Sequence, residues 1–251
     1  MTAEHSELIK RAEDLAERCE RQSVVTATGF LTPAEQYELK RWAERYPDSG
    51  LLLSGGQDGC ERQRAFFLPY WLPPEEFDLT EHIRAVRVEA FFGEPGHRDY
   101  LGAALGLGIQ REWLGDIRLL GATAYIFCLS SVEQLLLDEL TKVGHVSVKT
   151  TSSSLSDVPA PERRVKPITF TVKSLRLDAV ASSMFGLSRT AAAELIRLGA
   201  ASLNYAPCEK TDAPVKEGDV ISLRGKGKGV LTEVGGRSRK DRLFVRAEIY
   251  Q

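Results

Sequence analysis

Apolar positions along this chain switch repeatedly between helical and strand periods. In residues 4–21, Leu8, Ile9, Ala12, Leu15, Ala16 and Cys19 recur among charges at three- and four-residue spacing, which predicts an amphipathic helix. Thr32-Pro33-Ala34-Glu35 reads as the start of a second helix: a capping hydroxyl, a proline with preset φ, and a glutamate three residues after the cap. That helix is expected to reach about Tyr46, before Pro47 and Gly50. Residues 51–54 and 64–70 read as a strand pair joined by the turn Gly55-Gly56-Gln57-Asp58-Gly59.

From residue 83 the order becomes diagnostic. A strand at 83–92, a helix at 97–106, strands at 116–120 and 123–129 about Gly121, a helix from Ser131 to about Val143 stopped by Gly144, and a strand at 146–150 give strand, helix, strand, strand, helix, strand. That is the split ferredoxin-like arrangement, also used by RNA-recognition-motif domains. Stacking by such a sheet needs alternating exposed aromatics, and residues 120–127 offer only Tyr125 and Phe127 in a poorly matched pattern. These two rings are expected to face the helices as core. Residues 151–164, rich in Ser, Pro and Arg, read as a polar linker.

Beyond it, residues 167–174 form a strand. Residues 176–184 put Leu177, Val180, Ala181 and Met184 on one face of a short helix closed by Gly186. Ser188 caps a second helix that buries Leu195, Ile196 and Leu198 and ends at Gly199. Strands follow at 201–205, 219–224, 230–234 and 243–250. The predicted class is α+β, in four parts: a small α+β unit at 1–80, a ferredoxin-like domain at 81–157, a linker at 158–166, and a basic domain at 167–251.

Composition adds little until charge is read by segment. Of 251 residues, 43% are hydrophobic and 27% charged, as in ordinary globular chains. The polar, acidic start (Thr2-Ala3-Glu4-His5-Ser6-Glu7) predicts no secretory leader, and no apolar run is long enough to span a membrane. Cys19, Cys60, Cys128 and Cys208 stand singly, which suits reduced thiols in a cytoplasmic protein. The net charge of −2 divides into −6 over residues 1–80, −2 over 81–165 and +6 over 166–251. A basic final domain on an acidic front suggests that this domain meets a polyanion.

Candidate chemistry concentrates there. Ser188 and Arg189 bring a hydroxyl, free backbone N–H groups and a guanidinium to a helix N-terminus, a ready phosphate site. A cation opposes the helix dipole at that end, so its presence is best explained by a bound anion. Thr190, Arg176, Arg197, Asn204, Lys210 and Arg224, with Lys226 and Lys228 on the Gly225–Gly229 tip read as a flexible basic turn, complete the expected RNA-contacting set. Arg98 and Arg111 are expected as secondary contacts.

Other chemistries find no footing. Gly106-x-Gly108 is too short for a nucleotide fingerprint, and Gly55-Gly56-x-x-Gly59 lacks the lysine of a P-loop. His5, His82, His97 and His145 form no spaced cluster with cysteine, so neither metal nor cofactor is expected. His97 with Asp99 reads as a helix start rather than an acid–base pair.

Residues 174–224 resemble the S4-type (alpha-L) RNA-binding domain through Arg176-Leu177-Asp178, Ser188-Arg189, Leu195-Ile196, Gly199, Leu203-Asn204 and Gly218-Asp219. Tyr205-Ala206 departs from it where many members carry glycine. The whole chain resembles the YlmH family of bacterial S4-domain proteins, through Gly29-Phe30-Leu31-Thr32-Pro33, His97-Arg98-Asp99-Tyr100-Leu101-Gly102-Ala103 and Leu105-Gly106-Leu107-Gly108-Ile109 with Gly115-Asp116-Ile117. Gln110 and Trp113 depart from it where lysine is frequent.

The resemblance implies a non-enzymatic factor that binds the large ribosomal subunit and its RNA; a monomer is expected. It also implies a tie to the rescue of stalled nascent chains on tRNA, hence to peptidyl-tRNA, and to cell division. The alternatives are a pseudouridine-synthase-like enzyme, since Arg176-Leu177-Asp178 is similar to that aspartate motif, and a scaffold at the division site. If about six phosphates are neutralised, log affinity for RNA should fall against log salt with a slope of roughly −4 to −5. A titration of binding against potassium chloride measures this, and a flat dependence would contradict a polyanion site.

Overall fold

A computed structural model describes residues 3–160, 165–238 and 240–250, and side chains from Glu7 onward. The chain forms two compact units, Met1–Pro161 and Glu162–Gln251.

In the first unit, α1 (Ala3–Gln22) leads into β1 (Thr26–Leu31), α2 (Pro33–Ala43), β2 (Leu51–Ser54) and β3 (Gln63–Phe67). The Thr32 capping box forms as expected: Thr32 Oγ1 accepts from Glu35 N, and Thr32 N donates to the Glu35 carboxylate at 2.6 Å. The helix itself stops at Ala43, and residues 47–49 make a separate 3-10 turn. Sequence reading missed β1, whose Gly29 and irregular pairing with β3 between Ala27 and Phe30 spoil the alternation. The three strands form an antiparallel sheet in the order β1-β3-β2.

The second sheet contains β4 (Ile83–Ala90), β5 (Leu114–Leu120), β6 (Thr123–Leu129), β7 (Lys142–Val143) and β8 (Val146–Ser153), all antiparallel, in the order β5-β6-β4-β8-β7. With α3 (His97–Gly106) and α4 (Ser130–Glu139) this is the expected strand–helix alternation, plus one small strand. The helix expected to reach Val143 ends at Glu139 because Lys142 and Val143 instead pair with Ser147 and Val146 around Gly144. Residues 151–153, expected in the linker, extend β8, and Val158 is buried in the core. Residues 161–164 of that linker lie outside the described residues.

Two cores flank the second sheet. Val86, Val88, Ala124, Ile126 and Cys128 face α3 and α4. The alternate residues Ala85, Tyr125 and Phe127 face the other way, onto Phe30 and Phe66 of the first sheet. The first sheet's opposite face (Leu31, Ala65, Phe67) meets Ala12, Cys19, Leu39 and Trp42 of α1 and α2. The layers therefore run helices, sheet, sheet, helices, and the boundary expected at residue 80 is crossed by one shared apolar core.

Polar clasps reinforce this seam. Asp116 accepts from Glu61 N (2.8 Å) and Arg62 N (2.9 Å). Gln57 donates to the Leu155 and Val158 carbonyls (3.1 and 2.7 Å), so the glycine-rich loop expected as a plain turn is docked on the segment that follows β8. Arg64 reaches the Thr28 and His82 carbonyls at 2.9 and 2.8 Å over the Phe66 ring; burial pushes its pKa down to about 10.

The second unit is a six-stranded antiparallel sheet with two helices on one face. Its elements are β9 (Val165–Val172), α5 (Leu177–Met184), α6 (Arg189–Arg197), β10 (Ala201–Leu203), β11 (Ala206–Pro207), β12 (Val220–Leu223), β13 (Gly227–Arg237) and β14 (Leu243–Tyr250). The order is β11-β10-β12-β13-β14-β9, so the first and last strands are neighbours, paired over eight residues from Leu243↔Val172 to Tyr250↔Val165. Leu177, Val180, Met184 and Ile196 pack on Ile221, Leu223, Leu231, Val245 and Ala247. Leu198, expected to be buried, is 73% exposed, because α6 ends one residue earlier and the chain turns away through Gly199.

The seam of the first unit explains one of the glycine motifs. A Cβ on Gly115 would stand 2.7 Å from Phe30 Cε1 and 3.0 Å from Phe127 Cβ. Gly115→Ala is therefore expected to cost about 1–3 kcal/mol by overpacking. Urea unfolding followed by circular dichroism should show the first unit's transition at lower denaturant, and an unchanged midpoint would contradict the close approach.

Candidate nucleic-acid interface

The second unit's helices are joined by a joint of only residues 185–188. At the end of α5, Leu187 N bonds back to Ser182 O (2.8 Å) with Gly186 at φ +66°. Such a 6→1 bond closes a helix and turns the chain sharply. Ser188 then caps α6 at once, its Oγ accepting from Ala191 N at 3.1 Å. The end of α6 repeats the device, Ala200 N bonding to Leu195 O at 3.0 Å. At the start of α5, Leu177 N and Asp178 N bond to the Ala213 and Thr211 carbonyls, each at 2.9 Å, so both helix starts have fixed positions.

Between them lies Asp178, whose side chain is only 7% exposed. Arg176 grips its carboxylate with Nε (3.1 Å) and Nη2 (3.4 Å). Arg189 grips it from the other helix with Nε (3.0 Å) and Nη2 (3.3 Å). Ala179 N adds a bond of 2.8 Å. Burial pushes the Asp178 carboxyl up, but the hydrogen bonds and charges of Arg189 and Arg176 outweigh it and hold the pKa below its ordinary value.

This corrects one expectation. The anion that accounts for Arg189 at a helix start is, in the first instance, the chain's own Asp178 rather than a ligand. Two guanidiniums against one carboxylate still leave an excess positive charge. With side chains 41% and 54% exposed, Arg176 and Arg189 keep N–H groups turned to water. The carboxylate acts as an orienting post for a forked cationic surface.

Thr190 and Ser188 stand exposed beside this fork. Lys210 is exposed on the loop whose Thr211 carbonyl receives Asp178 N at 2.9 Å, so it borders the same end of α5. Arg197 is exposed in the last turn of α6, and Arg224 and Lys226 are exposed in the turn before β13, where Arg224 N bonds to Ala200 O (2.8 Å) just past α6. These three therefore form a group near the far end of α6.

Two predicted contacts have other duties. Asn204 is 7% exposed, and its side chain donates to Asp219 Oδ1 (2.9 Å) and accepts from Val220 N (2.9 Å). It fixes the β10–β11 turn, in which Asn204 and Tyr205 have φ of +50° and +68°. Lys228 is not on a flexible tip but inside β13, on the face away from the helices, with Nζ 4.8 Å from the Tyr205 ring centre and 5.2 Å from that of Tyr250. The alternation of β12 and β13, with Ile221, Leu223 and Leu231 inward, was the sequence signal that could have placed it.

Of the secondary pair, Arg98 is exposed in the first turn of α3. Arg111 is spent internally on the Leu114 carbonyl (2.7 Å), and burial, then the nearby Arg62 charge, lowers its pKa. Asp99 accepts from Gly96 N at 2.8 Å, the helix-start role expected of it. The rings of Tyr125 and Phe127 are buried as expected but on the wrong side: they cover the sheet face opposite the helices, where the first sheet seals them. Among the described residues no three His, Cys, Asp or Glu side chains gather to hold a metal, and no helix is long and apolar enough to cross a membrane.

Comparison with known proteins bears on this arrangement. Residues 74–157 match the family model described as "Putative RNA-binding domain in YlmH", which puts the chain in a class built around an RNA-binding segment. The "Ribosome-associated protein quality control protein P2" of Bacillus subtilis (strain 168) is 35% identical over 221 residues, 88% of this chain and 86% of that protein. The chain belongs to the YlmH family. A solved structure, "Cell division protein ylmH from Streptococcus pneumoniae", superposes with a TM-score of 0.54 over 64% of this chain and 97% of that one; at 22% identity it supports the α+β fold alone.

The depressed pKa of Asp178 fixes the sign of an acid effect. Its stabilisation is fully present above the ordinary value of 3.8 and drains away as pH falls through the lower folded value. Asp178→Asn should cost about 1–3 kcal/mol near neutrality, since both arginines can turn to water. It should also remove this part of the acid dependence, as urea midpoints collected from neutral pH down to the acid limb would show.

Proposed function

We propose that this protein binds RNA of the large ribosomal subunit without catalysis, and acts in the quality control of stalled nascent chains, where peptidyl-tRNA is a further partner. The observation that carries the reading is the fork of Arg176 and Arg189 held on Asp178 at two adjoining helix starts, on a unit with a net charge of +6 over residues 166–251. Its two-helix arrangement against a sheet supports an S4-type module. Phosphates suit such a fork, because guanidinium N–H groups already oriented lose little freedom on binding. The B. subtilis relative, whose name ties it to ribosome-associated quality control, supports the setting.

The matched RNA-binding segment has ferredoxin-like strand order, yet its stacking face is covered, so RNA contact there would use other exposed surface, such as the start of α3 that carries Arg98. Asp178 is poorly suited to catalysis: its oxygens are occupied by two arginines and a backbone N–H, which argues against the pseudouridine-synthase reading. The protein is proposed to work as a cytoplasmic monomer with no cofactor.

Co-sedimentation with purified large subunits tests this. The wild type should pellet with them, and Arg189→Ala should weaken binding by about 1–3 kcal/mol. A protein that stays in the supernatant, as a division-site scaffold would, overturns the reading, and so does tritium release from ribosomal RNA that Asp178→Asn abolishes.

A further inference from the structure

The first unit carries a second surface of opposite chemistry. A groove of about 1070 Å³ lies between α1, α2 and the chain after β3. One wall is α1, where Glu13, Glu17 and Glu20 recur at helical spacing on one face. The floor is Trp42, buried and bonded through Nε1 to Glu13 Oε1 at 3.3 Å, with Tyr46 tilted against it at 5.0 Å between ring centres. The far wall includes Tyr70, and Asp48 adds a fourth carboxylate; among the described residues the lining's cation is Arg45, and Arg21, on the surface of α1, pairs with Glu17 at 3.4 Å.

Two features of this groove need a reason. Tyr70 is 98% exposed and Tyr46, though tilted on Trp42, still 51%, so the lining keeps two aromatic rings largely in water. The carboxylates around it repel RNA, so the groove is unsuited to the polyanion proposed for the second unit. Aromatic rings set among carboxylates are the complement of extended segments bearing Lys or Arg, whose aliphatic stems and prolines lie on the rings while their charges reach the acids.

We propose that this groove receives an extended Lys- or Arg-bearing segment of a partner protein. The stems pack over Tyr46 and Tyr70, and the cations meet Glu17, Glu20 and Asp48. The site is separate from the RNA reading and does not depend on it.

Fluorescence polarisation on the full chain, with a fluorescein-labelled peptide of alternating arginine and proline as probe, tests the proposal. Saturable binding is expected, weakened roughly tenfold or more by Glu17→Lys with Glu20→Lys, and weakened also by Tyr70→Ala. The charge-matched control Glu94→Lys with Glu139→Lys, also on exposed positions of the first unit, should bind as the wild type does. Circular dichroism melts check that each variant folds; Tyr70→Ala, at a side chain that touches almost nothing, carries the test if the double reversal does not fold. The proposal is overturned if the peptide does not bind, if groove and control reversals weaken it equally, or if Tyr70→Ala binds normally. It is also overturned if a single-stranded oligouridine proves to be the ligand lost in the groove variants, or if those variants instead abolish self-association of the chain.

Discussion

The contact between two apolar sheet faces, Phe30 and Phe66 on one and Ala85, Tyr125 and Phe127 on the other, decides how the front of this molecule is organised. A sheet with one face on helices must cover or solvate the other, and here the small N-terminal sheet provides the cover. Aromatics that an open ferredoxin-like sheet could use for stacking bases are committed to a dry interior. The cost of burying polar groups at the same seam is offset by matching them: Asp116 takes two backbone N–H groups and Arg64 takes two carbonyls.

With that face closed, the strongest cationic arrangement is the one in the second unit. A lone arginine at a helix start would be both mobile and electrostatically misplaced. Asp178 answers both problems, since it neutralises part of the charge and holds both guanidiniums. The short joint through Gly186 and Ser188 keeps the two helices in register, so the fork is set by the fold itself.

Much of this was legible from residues, because it is local. The Thr32 capping box, the Asp99 and Ser188 helix starts, and the glycine stops at 186 and 199 depend on neighbours within a few positions. What failed was long-range. The β1 strand is defined by its partner β3 and hidden by its own irregular pairing. The inward turn of Asn204 depends on Asp219, fifteen residues on, and the tie between Arg189 and Asp178 crosses from one helix to the next. Tyr125 and Phe127 were rightly read as buried, yet their direction depended on a sheet whose first strand the pattern had concealed.

The pairing of β9 with β14 has a consequence for the order in which the molecule is made. The strand that opens the basic unit has its partner at residues 243–250, so the sheet under α5 and α6 cannot close until nearly the whole unit has been synthesised. The first unit depends on no such late partner, and its core can consolidate while the rest is still emerging. During synthesis the acidic unit is therefore completed before the cationic one.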